Sequence, residues 1–373
     1  MNDIIYLDYS ATTPVDKDVL DKYYNDNLKL LGNSNSIHKL GRECNEAIER
    51  TTGNILLMFG LDNNYEVVYT SGASEANNLA IKGVLQRLEG GRIITTSFEH
   101  SSVIAPLGSF QRKGFVVDIV DYDENGQIDL KKFEELMSDD VRLVTISAVN
   151  SEIGILQPLE DIKRMVKKYP NAYLHIDMTQ CIGKAKVEFT DIDMFSVSAH
   201  KIYGLKGIGA LIKRKNIRLE SQIQGGKSTT KYRSGTPAHP LIISLGHAIY
   251  KSMFHFNENF REVRKIHDYF VNKLKDMKNV KINSNDKCIP HIVNVSFIGY
   301  NSKKLVLELE KYNIYISNHS ACSSEEEVSK GVYALTGDLS LATSSVRFSL
   351  SHLTKVEDID KVCEVLEKII WKK

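Results

Sequence analysis

Strand-like runs alternate with helical patterns through the first two thirds of this 373-residue chain. Apolar and β-branched runs bounded by turns or charged segments lie at residues 66–70, 92–96, 115–120, 143–148, 173–177 and 194–199. Between them, three- and four-residue apolar spacing predicts helices at residues 45–58, 75–88 and 161–169. Parallel strands need a crossover between them, which is usually a helix. The alternation therefore predicts an α/β fold with a mainly parallel sheet.

The last third of the chain has a different pattern. Residues 240–278 keep helical spacing throughout, which predicts one long helix between two domains. Further strands are predicted at residues 291–297 and 313–317, with helices near residues 303–312 and 355–370. A single hydrophobic core stops growing below this chain length. We therefore predict a large domain over residues 16–250 and a smaller α/β domain formed by residues 1–15 and 251–373.

The charge and cysteine content narrows the possible functions. Forty-eight Lys and Arg against 47 Asp and Glu give a net charge of +1, which leaves no surplus to hold a nucleic-acid backbone. No apolar run approaches the roughly 18 residues of a membrane span, and the acidic start is unlike a signal peptide. Five cysteines without a Cys-x-x-Cys pair argue against disulfides and structural zinc. We expect a cytoplasmic protein without direct nucleic-acid binding, membrane association or a resident metal.

Small residues connect the first predicted strand to a helix. Ser71, Gly72, Ala73 and Ser74 precede the helical pattern. They offer backbone N–H groups and hydroxyls to an anion at the positive end of the helix. The same residues also suit an ordinary helix cap with close packing on the sheet. The segment alone leaves both interpretations open.

A lysine follows the strand predicted at residues 194–199. Strand alternation places Ser196, Ser198 and His200 on one face, and Lys201 lies just beyond the carboxyl end, where open α/β sheets bind ligands. An amine with anion-holding neighbours is what pyridoxal phosphate (PLP) requires. A solvated lysine in a Gly-rich turn is the alternative.

An acid ends the neighbouring predicted strand. Asp177 follows an apolar run, and pyridoxal enzymes place an acid beside the ring nitrogen so that it stays protonated. An aspartate in this position also commonly forms a turn. Taken together, Lys201 and Asp177 point to one cofactor.

Nine segments in the same order as in a known family resemble cysteine desulfurases of the NifS/IscS type, in the class V aminotransferase group. The resemblance covers essentially the whole chain. It implies PLP fold type I, with a mainly parallel seven-stranded sheet in the large domain. The matching segments are residues 6–14, 70–78, 99–102, 149–154, 175–180, 198–201, 233–236, 320–324 and 346–349.

The resemblance implies a role for each residue of the site. Lys201 forms the Schiff base with PLP, Asp177 faces the pyridine nitrogen, Gln180 faces the ring hydroxyl and His100 stacks on the ring. The remaining contacts fall to the phosphate-binding residues Ala73, Ser74, Ser198 and His200, to Thr236 contributed by the other subunit of a homodimer, and to Asn150 and Arg347 as the clamp for the substrate carboxylate.

Cys322 is the nucleophile that the resemblance implies. It takes sulfur from L-cysteine as a persulfide, leaves L-alanine, and passes the sulfur to an acceptor protein for iron–sulfur cluster assembly or tRNA thiolation. It is also a candidate transient ligand of such a cluster. Its thiol needs activation at neutral pH, for which His100 or the substrate amine is our candidate. Selenocysteine lyase and cysteine sulfinate desulfinase are alternatives, and a non-catalytic sulfur carrier or scaffold is an alternative of another class.

Four departures from the family pattern concern the nucleophile loop and the dimer-contacting segment. His319 stands where glycine is usual, Ser151 replaces an asparagine and Leu205 replaces a proline. Residues 225–233, which include Lys227 to Tyr232, replace a Gly-Gly-Gln-Glu stretch. We expect these changes to affect partner identity and substrate preference more than the chemistry.

Overall fold

The computed structural model describes residues 4–226, 228–319 and 328–371. Its strands are β1 (Ile5–Tyr6), β2 (Tyr65–Thr70), β3 (Arg92–Thr96), β4 (Val116–Val120), β5 (Val141–Ser147), β6 (Tyr173–Asp177), β7 (Met194–Ser198), β8 (Gly209–Arg214), β9 (Val280–Ile282), β10 (Ile292–Phe297), β11 (Ile314–Tyr315) and β12 (Ser345–Ser349). Its helices are α1 (Lys17–Lys29), α2 (Lys39–Met58), α3 (Ala73–Leu85), α4 (Ser101–Gln111), α5 (Leu130–Leu136), α6 (Leu159–Val166), α7 (His239–Phe254), α8 (Phe256–Lys275), α9 (Ser302–Glu310), α10 (Lys330–Thr336), α11 (Leu339–Ser344) and α12 (Val356–Trp371). No described helix is both long and apolar enough to cross a membrane.

Seven of these strands form the central sheet, in the order β2-β8-β7-β6-β5-β3-β4. The five strands from β7 to β4 are parallel, whereas β8 lies antiparallel between β2 and β7. Their side chains are mostly buried because helices cover both faces: α3 and α4 on one, and α2, α6 and α7 on the other. The predicted mainly parallel, seven-stranded α/β sheet is confirmed.

A second hydrophobic core lies around the three-stranded antiparallel sheet β12-β10-β9. Helices α8, α9 and α12 pack on this core, and Ile5 and Leu7 enter it from the start of the chain. Strand β1 pairs in parallel with β11, so that Ile5 lies opposite Ile314. The two cores lie on either side of the boundary between the two domains that we propose.

The single long helix predicted over residues 240–278 is wrong. It is two helices, α7 and α8, which are separated at His255, where φ is −89° and ψ is 8°. Helix α7 packs on α1 and α2, whereas α8 packs on α12 and β9. Because the apolar faces of the two helices meet different cores, the chain bends between them, although the spacing of apolar residues continues without a gap.

Candidate active site

A cavity of about 550 Å³ opens at the carboxyl ends of the parallel strands. Ser147, Asp177 and Ser198, the last residues of β5, β6 and β7, line it together with the first turn of α3. This is the edge at which open α/β sheets bind ligands. The volume lies within the range of small-molecule sites.

Lys201 projects into this cavity from a short 3-10 turn, Ala199–Lys201, that follows β7. Its Nζ donates to the carbonyl oxygens of Ser10 at 2.6 Å and Ala11 at 2.7 Å. Both acceptors belong to the segment after β1, 190 and 191 residues earlier in sequence. The amine is therefore held in the cavity by the chain's N-terminal segment.

Asp177 places a buried carboxylate in the same cavity. Oδ2 accepts from Asn77 Nδ2 at 2.7 Å, and Oδ1 accepts from the backbone N–H of Thr179 at 2.9 Å. These two bonds fix the carboxylate plane.

His100 also lines the cavity, and it caps the N-terminus of α4. Its Nδ1 accepts the backbone N–H of Ser102 at 3.1 Å. Burial lowers the pKa of His100, an effect that the neighbouring Asp177 opposes. The neutral ring that accepts at Nδ1 carries its proton on Nε2.

Positive potential and small polar groups converge at one end of the cavity. The first turn of α3 contributes Ala73 and Ser74, and Ser198 and His200 lie opposite. Burial lowers the pKa of His200 to about 4, with a further contribution from Lys201. This ring is therefore a neutral hydrogen-bonding group at physiological pH.

Arg347 reaches the cavity from β12 and is only 1% exposed. Nη2 donates to Asp8 Oδ1 at 2.7 Å, and Nη1 donates to the carbonyl oxygen of Ser151 at 2.8 Å. Within the described residues its Nε has no hydrogen-bond partner. A guanidinium held from two sides, with a donor left over, suits a carboxylate ligand.

Two predicted site residues are not in the cavity wall. Asn150 is buried, and its Oδ1 accepts the N–H groups of Glu152 and Ile153 in the adjacent turn. Thr236 is exposed and does not line the cavity of its own subunit. Cys322 lies outside the described residues.

His319, which departs from the family pattern, is buried beside an acid. Its Nδ1 lies 3.3 Å from Glu152 Oε1, and Ser329 Oγ donates to the same oxygen. His319 and Ser329 thus lie on either side of residues 320–327 and meet on one carboxylate. Glu152 belongs to the turn whose Ser151 carbonyl binds Arg347.

The four described cysteines are free and buried. Burial raises the pKa of Cys181 to about 12, of Cys288 to about 11 and of Cys363 to about 12. Cys44 is fully buried in a helix. High thiol pKa values suppress the nucleophilic thiolate, so these three side chains are poor reagents.

Several residues of the site had not been identified from the sequence. Asn77 lies one helical turn after Ala73, which is a usable signal because positions four apart share a helix face. Ser10 and Ala11 hold Lys201 through backbone carbonyls, which side-chain patterns do not reveal. Asp8 meets Arg347 only because the segment that follows β1 bridges the end of β12, where Asp8 lies opposite Ser349.

The donor set fits PLP. One cavity holds a primary amine, a buried carboxylate and a helix N-terminus, the three features that bind an aldehyde, a pyridine nitrogen and a phosphate. Thr179 Oγ1, which is buried at the cavity wall, has no partner among the described residues. In the described part of the chain, no group of three His, Cys or acidic side chains is arranged to hold a metal.

Comparisons with known proteins agree with this geometry. The family profile Aminotransferase class-V matches residues 5–362. "Cysteine desulfurase IscS" of Dictyoglomus turgidum is 34% identical over 375 residues, covering 99% of this chain and 95% of that protein. A solved NifS-like protein has a TM-score of 0.93 at 30% identity and covers 100% of both chains. The structure of SspA in complex with cysteine has a TM-score of 0.81 at 32% identity, with 93% of this chain and 98% of that one covered. This chain therefore belongs to the aminotransferase class-V family of PLP fold type I enzymes, among its cysteine desulfurases.

Proposed function

We propose that this protein uses PLP to remove sulfur from L-cysteine, producing L-alanine and a persulfide on Cys322. The observation that carries the proposal is the meeting of the Lys201 amine, the Asp177 carboxylate and the Arg347 guanidinium in one cavity. An amine and an acid alone suit many pyridoxal enzymes. The guanidinium adds recognition of an α-carboxylate, which an amino acid substrate supplies.

Each end of the cavity has its own part in holding the cofactor. Lys201 binds the aldehyde and Asp177 keeps the ring nitrogen protonated. Ser74, Ser198 and His200, with the N–H groups of the first turn of α3, bind the phosphate. When bound, PLP supplies the electron sink that accepts the electron pair of a broken substrate Cα–H bond.

The protein's own groups then hold the substrate and move protons. Arg347 binds the carboxylate of L-cysteine, and Lys201 removes the Cα proton. The Cys322 thiolate attacks the substrate sulfur as its C–S bond breaks, and the carbon skeleton leaves as alanine after protonation. One L-cysteine and one Cys322 thiol give one L-alanine and one Cys322 persulfide, so no external oxidant or reductant is needed.

His100 is less suited than the substrate amine to accept the Cys322 proton. Its Nδ1 is occupied by the Ser102 N–H, and in the neutral ring Nε2 is itself a donor. Its position in the cavity wall instead supports a stacking contact with the cofactor ring. Of the two activators predicted from the sequence, we therefore favour the substrate amine.

The test compares three purified proteins. Lys201→Ala is expected to lose the visible absorbance of lysine-bound PLP. Cys322→Ala is expected to bind PLP and L-cysteine, with the associated spectral change, yet to form neither persulfide nor sulfide. Cys363→Ala, a buried control cysteine, is expected to turn over normally apart from a packing loss. Normal sulfide release by Cys322→Ala would overturn the assignment.

The substrate is settled in the same assay. Turnover of L-cysteine, selenocysteine and cysteine sulfinate is compared at equal concentration, with L-cysteine expected to have the highest kcat/KM. A preference for either of the other two would indicate the lyase or the desulfinase instead. Absence of any turnover with all three would indicate a carrier or scaffold.

We also propose a homodimer, for which the surface of α1 provides support. Leu20, Tyr24 and Leu28 are exposed at four-residue spacing and form an apolar stripe. Tyr250 and Phe254 continue exposed aromatic surface on α7, which packs beside α1. In the dimer that we propose a second copy covers this stripe, and Thr236, which is exposed, is the residue assigned to the partner's phosphate site. Light scattering should give twice the chain mass, and Tyr24→Glu should halve it; a monomeric wild type would refute this.

The sulfur acceptor is proposed to be a protein that serves iron–sulfur cluster assembly or tRNA thiolation. A cytoplasmic location is proposed because the four described cysteines are unpaired, which suits a reducing compartment. Labelled persulfide sulfur should pass from the wild-type enzyme to such an acceptor in a purified mixture, and not from Cys322→Ala.

A further inference from the structure

A buried lysine that the proposed reaction does not use lies directly behind the cofactor site. Lys184 is 7% exposed, and no ion pair joins it to a carboxylate in the parts of the chain that the structure describes. Its Nζ donates to Gln180 Oε1 at 2.7 Å. A buried ammonium without a counter-ion is costly, so this position requires an explanation.

The Lys184 contact leads to the amine that is proposed to bind PLP. Gln180 Nε2 donates to the carbonyl oxygen of Ser10 at 2.8 Å, and Lys201 Nζ donates to the same oxygen at 2.6 Å. Because Lys184 occupies Oε1, the carboxamide of Gln180 must present its NH₂ group toward Ser10. Lys184 and the Ser10 carbonyl thus select the same orientation of the Gln180 carboxamide, one from each end.

Lys184 interacts electrostatically with charged groups of the proposed cofactor site. Burial lowers its pKa to about 7, with further lowering by Lys201 and Arg347 and a small opposing effect of Cys181. Two other titratable groups also feel its charge, the buried His291 and the cavity residue His200. Coulomb interactions are mutual, so a protonated Lys184 places positive potential at the Lys201 nitrogen.

We propose that Lys184 is a positioning residue that orients the Gln180 carboxamide and, through its charge, lowers the proton affinity of the Lys201 nitrogen in the PLP-bound enzyme. Lys184 touches neither substrate nor reacting atoms, and it acts through Gln180 and through the field. The inference rests on the proposed PLP site and deepens it. It assigns a role to one residue that a lysine of purely structural function would not have.

The experiment measures the pH midpoint of the visible absorbance of lysine-bound PLP in the holoenzyme. Removing a nearby positive charge lets the Lys201 nitrogen hold its proton to higher pH. Because the pKa of Lys184 is about 7, it carries its charge mainly near and below that pH. The wild-type midpoint is therefore expected near or below pH 7, and in Lys184→Met it is expected to move upward by about 0.5 unit or more, roughly a threefold increase in proton affinity. A wild-type midpoint well above pH 7, where Lys184 is neutral, would overturn the inference. Lys184→Gln, which keeps a hydrogen-bond donor but no charge, is expected to show the same upward shift.

The matched control is Lys163→Met. Lys163 is as buried as Lys184, but it lies outside the cavity wall, where it pairs with Glu160 and donates to the carbonyl oxygens of Glu188 and Thr190. In Lys163→Met the pH midpoint of the PLP absorbance should stay within about 0.2 unit of wild type, because the electrostatic effect of a charge decreases with distance. Wild-type midpoints in both Lys184→Met and Lys184→Gln would overturn the inference. Should one variant fail to fold, the other decides by the same criterion. Failure of the proposed function is distinguishable, because the wild type would then show no lysine-bound PLP absorbance at all.

Discussion

Arg347→Lys is expected to remove recognition of the substrate carboxylate while leaving the cofactor site in place. The native guanidinium serves Asp8 Oδ1 at 2.7 Å and the Ser151 carbonyl at 2.8 Å. A planar fork can serve both and still present an N–H to a third acceptor. An ammonium on a lysine stem is a compact point charge, and it cannot span three acceptors in these directions.

The size of the effect follows from the contact that is lost. A hydrogen bond to a charged group contributes about 1.5–3 kcal/mol. At about 1.4 kcal/mol per factor of ten, kcat/KM for L-cysteine should fall about 10- to 150-fold. The lysine of the variant retains a positive charge that stays paired with Asp8. The variant therefore avoids the larger loss of about 3–5 kcal/mol that an uncompensated buried charge would cause.

Two ligands separate carboxylate recognition from general damage. Alanine production gives kcat/KM for L-cysteine, and absorbance titration of the holoenzyme gives Kd for L-cysteine and for cysteamine, which lacks the carboxylate. The L-cysteine value should weaken and the cysteamine value should stay within about twofold, which is about 0.4 kcal/mol. Arg92→Lys is the control, since Arg92 also pairs with an aspartate, Asp118, away from the cavity. Equal weakening of both ligands, or unchanged binding of L-cysteine, would refute the role of Arg347.

Two further predictions concern stability. His319→Ala should lower the free energy of unfolding by about 1–3 kcal/mol, because a buried ring in contact with Glu152 is removed. Urea unfolding measures this change, and a curve that matches wild type would show that the contact contributes nothing. Glu99→Gln should remove a pH dependence: burial raises the pKa of Glu99 to about 7 in the folded protein, against 4.5 for the free side chain. The folded state then holds the extra proton between about pH 4.5 and 7, so wild-type stability falls as pH rises through that window, and the variant should lose less between pH 5 and 8. Parallel urea curves for wild type and Glu99→Gln at pH 5 and 8 would contradict this.

Strands buried on both faces could be predicted closely from the sequence. The pattern at residues 173–177 matches β6, and the pattern at residues 194–199 exceeds β7 by one residue, because continuous apolar runs have clear ends. Strand β8 was missed, since its six residues follow a Gly-rich turn and end in Lys213 and Arg214. Lys213 is nevertheless fully buried and paired with Glu66 across the sheet. The position of β8 between β2 and β7 depends on tertiary contacts, which local composition does not predict.

Some residues of the site could likewise be predicted from the sequence, and others could not. Lys201 and Asp177 could be found because the end of an apolar strand marks the ligand edge of a parallel sheet. The partner of Arg347 could not, because Asp8 is 339 residues away and is brought to it by a bridge between the segment after β1 and the end of β12. Asn150 was assigned to the cavity from the resemblance, yet its amide oxygen is used by its own turn.

A short segment of chain, residues 8–11, limits the distance between the Lys201 amine and the Arg347 guanidinium. Within one segment, Asp8 binds Arg347 while the carbonyl groups of Ser10 and Ala11 bind Lys201. Tyr6 ties this segment together, since its hydroxyl bonds to the carbonyl oxygens of Asp8 and Thr12. Extended chain spans at most about 3.3–3.6 Å per residue, so the two cationic groups cannot separate by more than a few residues' reach while these bonds hold. An α-amino acid presents its carboxylate one bond from the carbon whose proton Lys201 is proposed to remove. The N-terminal segment thus limits the distance between the Lys201 amine and the Arg347 guanidinium to one that suits an α-amino acid. The ends of the strands alone would not set this limit.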